Sequence, residues 1–179
     1  MKKLILFGAI ALSLNSFGQV PNYVSSNGLL GWWPFNGNAN DESVNTNDGA
    51  VNGATLIDDR FGNPNEAYSF DGNDEISILN FNSEPQFLSI SLWFYAAVNG
   101  TGGTLELLHR CNPANRMDFA WNTSWGTDGG NNVIQSTLNN GVTTATSSIS
   151  LNNWHHMVLT CDGAQKIIYV DGQIVSTDI

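Results

Sequence analysis

Acids, histidines, cysteines and tryptophans are the side chains of this 179-residue chain that could do chemistry, and their spacing decides which chemistry is open to them. Cleaving a glycosidic bond takes two carboxyl groups, about 5 Å apart when configuration is retained. Asp71, Asp74 and Glu75 crowd one turn, while Glu106 and Asp118 each stand as the sole acid of an expected strand. No pair is set to flank a bond, so these acids read as turn formers or solvated charge. His155 and His156 are adjacent, and neighbours on a strand point to opposite faces. Regular backbone therefore cannot bring both to one metal ion; one is expected to face the core and the other solvent. Cys111 and Cys161 could act as nucleophiles beside His109, His155 or His156, yet no local signature supports that role.

Sugar binding is a better match for residues 121–132 (WNTSWGTDGGNN), read as a loop. A pyranose could stack on Trp125 while Asn122, Asp128 and Asn131 bond its hydroxyls. The competing reading is an ordinary loop with Trp121 in the core.

The N-terminus bears on all of this. Lys2 and Lys3 precede an apolar stretch over residues 4–14, too short for a membrane span, and small residues Ser16 and Gly18 follow. Residues 1–18 are expected to be a secretory leader, and no later segment is apolar for long enough to cross a bilayer. Removing the leader leaves 4 basic residues against 16 acidic ones, a net charge of −12. Such a surface repels phosphates, which argues against nucleic-acid binding. In an exported chain the two cysteines, Cys111 and Cys161, are expected either to pair as a disulfide or to serve as small buried hydrophobes.

The positioning elements read as strands. Gly, Asn, Ser and Thr abound, short apolar runs alternate with turn residues, and nothing repeats at the helical period. Strands are expected at residues 29–35, 50–51, 67–70 and 75–79, the last two flanking a hairpin turn at 71–74. Residues 88–95 (LSISLWFY) alternate, with Leu88, Ile90, Leu92 and Phe94 on a core face. The other face begins polar and ends aromatic, at Trp93 and Tyr95, so its end is either covered or available for contact. Further strands are expected at 104–110, 116–121, 133–138, 142–149, 154–160 and 166–170. Asp171-Gly172 then has the form of a type I′ hairpin turn.

GLLGWWPFNGNANDES, NDGAVNGAT, DRFGNPNEAYSFDGNDEISI, LSISLWFY, NNWHHMVLTCDG and IIYVDGQIV arrive in an order that resembles the laminin-G-like jelly-roll family, a branch of the concanavalin A-like lectin and glucanase superfamily. The resemblance covers residues 29–175. It implies an all-β, two-sheet antiparallel jelly-roll sandwich, commonly one module of a larger surface or secreted protein. Family members continue past the YVDG hairpin with further strands. A chain ending at Ile179 is therefore expected to be a C-terminally incomplete domain over 29–179, with 19–28 as lead-in.

The Asn- and Asp-rich loops suit calcium, which takes six to eight oxygens. The resemblance implies a structural ion held partly by Asp41, and Asp48 in the NTNDG loop is a further candidate donor. The alternative is side-chain-capped turns without metal. The expected function is a non-catalytic extracellular module, secreted or at the cell surface, that binds or adheres to a glycan or an extracellular protein. Alternatives are an accessory domain of a carbohydrate-active enzyme and a structural spacer.

Overall fold

The computed structural model describes residues 19–79, 81, 87–96, 105–110, 121–128, 131–138, 141–144, 149–162 and 165–178. The expected leader lies outside them. Every regular element described is a strand, and the chain divides into two compact units, Met1–Phe81 and Asn82–Ile179. No helix among the described residues is long and apolar enough to cross a membrane.

The first unit holds two short antiparallel ribbons. Strand β1 (Ala50–Asn52) pairs with β4 (Glu75–Ser77), and β2 (Thr55–Ile57) pairs with β3 (Ala67–Ser69). The hairpin expected across residues 71–74 is therefore absent, because β3 and β4 take their partners from earlier strands. Within that turn the acids satisfy the backbone instead. Asp74 Oδ2 accepts the Asp71 N–H at 2.9 Å, and Asp71 Oδ1 accepts the Asn73 N–H at 2.9 Å.

Residues 29–35 correct a second expectation, since they form no ladder. The groups a strand would pair are already engaged. Asp41 Oδ1 accepts the Trp32 N–H at 2.8 Å, and the Trp32 carbonyl accepts the Glu42 N–H at 2.9 Å. Asn45 Nδ2 donates to the Leu29 carbonyl at 2.7 Å, and Asn47 Nδ2 to the Leu30 carbonyl at 3.0 Å. Gly31 has no side chain because the Trp33 indole occupies the space a Cβ would take.

The second unit is a sandwich of two four-stranded antiparallel sheets. One has the order β12 (Gln173–Asp178), β11 (Lys166–Val170), β10 (Trp154–Cys161), β5 (Leu88–Tyr95). The other runs β6 (Leu105–Arg110), β7 (Trp121–Asp128), β8 (Asn131–Leu138), β9 (Gly141–Thr144). Ile134 of β8 joins Phe94, Met157, Leu159, Ile168 and Val170 of the first sheet in one buried cluster, with Ile90 and Leu92 packed against it. Burying such side chains is worth about 1.5–3 kcal/mol each. The alternation expected for residues 88–95 holds, with Phe94 buried and Ser89, Ser91, Trp93 and Tyr95 exposed. Asp171 and Gly172 both take positive φ, 50° and 78°, as a type I′ turn demands between β11 and β12.

Candidate functional site

Outward-facing side chains of β5 and β10 build an aromatic surface on the second unit. The pleat that sends Phe94 and Met157 inward sends Trp93, Tyr95, Trp154 and His156 outward. Register then makes two cross-strand pairs, Tyr95 opposite Trp154 and Trp93 opposite His156. The Trp93 and His156 rings stack with centroids 4.9 Å apart and planes 21° from parallel. Tyr95 meets Trp154 edge-on at 5.6 Å. Ser91 Oγ lies 2.8 Å from His156 Nε2, which fixes the imidazole from the next outward position of β5, two residues from Trp93. Tyr169 on β11 stands opposite Val158, and Ile174 on β12 opposite Tyr169. Trp93 and Tyr95 are each 45% exposed and Ile174 61%, a large apolar area for solvent to meet. Flat rings among hydroxyls suit a ligand with one apolar face and a polar rim.

Asp171 holds this surface in register. Its Oδ1 accepts the His156 N–H at 2.9 Å and its Oδ2 lies 2.8 Å from His155 Nδ1, so one carboxylate ties the β11–β12 turn to two consecutive residues of β10. Partial burial pushes the Asp171 carboxyl up. The His156 N–H, the His155 ring and the charges of both imidazoles outweigh it and hold the group below the usual aspartate value. His155 is buried, as one of the two histidines was expected to be, and half-buried His156 lies on the opposite face. Ser150 Oγ also stands 3.1 Å from His155 Nε2, which gives a Ser-His-Asp series. The Ser150 carbonyl competes for the same nitrogen at 2.9 Å.

In the first unit, Asp41 is 5% exposed and fully occupied by its own chain. Oδ1 accepts the Trp32 and Ser43 N–H groups, and Oδ2 accepts the Asn47 N–H and the Ser43 hydroxyl, at 2.8–2.9 Å. Burial raises its pKa, but these four donors lower it further, so the carboxylate stays below its ordinary range. Asp48 Oδ1 accepts the Asp41 N–H at 2.9 Å, and Asp48 lines a small cleft with Thr46, Asn47, Ser77 and Leu79. No three His, Cys, Asp or Glu residues among those described could share an ion. The arrangement at Asp41 does not fit calcium, whose binding would have to displace the bonds that shape the loop.

The remaining expected residues fall elsewhere. Residues 121–128 and 131–132 are strand and not loop: Asn122, Trp125 and Asp128 lie on β7, and Asn131 begins β8. Two strands pair through eight positions here, Trp125 with Ile134 and Asp128 with Asn131. Backbone pairing across residues rich in Thr and Ser overrode the turn-like composition. Trp125 has the opposite strand parity to Asn122 and Asp128. Cys161 is half-buried with a free thiol, and Cys111 lies outside the described residues. Sequence reasoning missed Trp154 and His156 as partners of the exposed aromatics. The signal was present in the WHH start of β10, but pairing it with residues 93–95 requires the register.

Comparison with known proteins bears on the whole chain. A search among curated proteins gave no match. Among solved structures, domain 4 of AbnA, a GH43 extracellular arabinanase from Geobacillus stearothermophilus, in complex with arabinotriose, is similar in fold. The TM-score is 0.61 at 19% identity, over 83% of this chain and 74% of that one. A laminin G family model matches residues 70–179, which take in the β5–β10 face and the Asp171 turn. With its two-sheet core and that match over more than half its length, the chain belongs to the concanavalin A-like lectin/glucanases superfamily.

Proposed function

We propose that the chain is a non-catalytic glycan-binding module of an exported protein and that the β5–β10 aromatic face is its binding surface. The observation that carries this is the double cross-strand pair, Trp93 on His156 and Tyr95 on Trp154, whose Trp93 and Tyr95 rings stand exposed near hydroxyls. Sugars present C–H faces to such rings and hydroxyls to groups such as Ser89 and Thr160. The arabinotriose complex of the similar arabinanase domain supports a saccharide ligand and lends nothing to a protein partner. It also supports the accessory-domain form of the reading, in which the module holds substrate near a catalytic domain.

A second site reading keeps Trp125, Asn122, Asp128 and Asn131, which lie on one hairpin with Trp125 at the opposite strand parity to the other three. Glycan-array or pull-down measurements on the folded chain separate the two. Trp93→Ala with Trp154→Ala is expected to lower affinity at least tenfold, and Trp125→Ala to leave it within about twofold. The reverse ranking would move the site to the β7–β8 hairpin. Absence of binding to every glycan would leave the spacer reading.

A further inference from the structure

The charge pattern of the same sheet narrows the ligand class, an inference that rests on the glycan-binding reading above. Alternation and register assign every described outward position of β5, β10, β11 and β12. Those positions carry hydroxyl, aromatic and aliphatic side chains and one imidazole, with no Lys, Arg, Asp or Glu among them. Residues 82–179 contain three basic side chains. Lys166 is buried on the opposite face, Arg110 ends β6 in the other sheet, and Arg116 lies outside the described residues. The nearest fixed charge in the described part of this sheet is negative: the Asp171 carboxylate at the turn, bonded to the His156 N–H.

A saccharide bearing uronate or sulfate groups needs cations to replace the water it gives up, best supplied by Arg or Lys. Among the described residues this face offers none, and the chain as a whole is strongly acidic. We propose that the face selects uncharged saccharide chains, through ring stacking and hydroxyl hydrogen bonds, and rejects carboxylated and sulfated ones. Binding of this kind is insensitive to salt, because no ion pair is screened.

Affinity electrophoresis of the full chain tests this with matched polymers in native gels: dextran against dextran sulfate, and methyl-esterified polygalacturonate against polygalacturonate. Laminarin and galactomannan serve as further neutral probes, and heparin as a further anion. Retardation by at least one neutral polymer is expected, unchanged in about 0.5 M salt, with none by a charged polymer. Retardation by a polyanion that salt abolishes would overturn the selectivity while leaving glycan binding standing. No retardation by any polymer would overturn the glycan reading and the selectivity with it. Tyr95→Ser, at an exposed position, is expected to weaken neutral binding at least threefold while keeping the circular dichroism spectrum; unchanged binding would remove the face from the site. A dimer in sedimentation that Trp93→Ala dissolves would identify a second copy as the occupant and overturn the proposal.

Discussion

The loop around Asp41 and the β5–β10 ladder fix backbone by opposite means. In the loop, one buried carboxylate accepts four hydrogen bonds and stands in for the ladder that residues 29–35 lack. In the sheet, eight consecutive pairs share the work, and each side chain's face follows from its parity. Order in the loop is thus concentrated in a single group, whereas order in the sheet is distributed and rests on burying every second residue. A concentrated arrangement fails at one position; a distributed one fails only where the buried face is broken.

Substitutions can break this contrast, beginning with the sheet. Ile90 stands opposite Leu159, which is 2% exposed, so Ile90→Asp places a carboxylate against the core without a partner. The second unit is expected not to fold, as read by loss of near-ultraviolet circular dichroism. Ser91→Asp, one position along and outward, should cost no more than about 1 kcal/mol in urea unfolding. Equal effects at 90 and 91 would show the face assignment to be wrong. At Asp41, replacement by Ala strands three backbone N–H groups, and a loss of about 2–3 kcal/mol is expected. A loss near zero would mean that the loop is held by something other than this carboxylate. The native protein should melt at one temperature in calcium and in chelator, because the Asp41 oxygens are already engaged. A calcium-dependent rise that Asp41→Ala removes would instead make Asp41 an ion ligand whose loop rearranges.

The smallest effect belongs to Asp171. Its pKa in the fold lies below the unfolded value, so its contribution is complete above about pH 4 and is lost as pH falls through the folded value. The side chain is 51% exposed, which limits that contribution to about 1 kcal/mol or less. Asp171→Asn should therefore lower the melting temperature at pH 7 and match the native protein in strong acid. A constant offset at all pH values would assign the effect to turn geometry and not to charge.

The same contrast explains what could be read from the sequence. Residues 88–95 declare themselves because alternation of Leu, Ser, Ile and Trp maps directly onto two faces. Asp171-Gly172 declares itself because few residue pairs accept two positive φ values. Residues 29–35 look like a strand by composition, and only the long-range bonds from Asp41, Asn45 and Asn47 show otherwise. Asp41 was singled out as important, but a carboxylate that gathers N–H groups and one that gathers a metal ion have the same neighbours in sequence. The aromatic face was half legible: Trp93 and Tyr95 were visible as a face without a partner. Their partners lie about sixty residues downstream, where only the register brings them in.

Asp171 also makes the two sides of the β10 strand chemically dependent on each other. The carboxylate that fixes the His156 amide beneath the outer rings touches the His155 ring inside the sheet. An occupant that shifts His156 changes the balance of that carboxylate between its two donors. The buried imidazole thus becomes an internal reporter, and its proton resonances register events on a surface it never reaches.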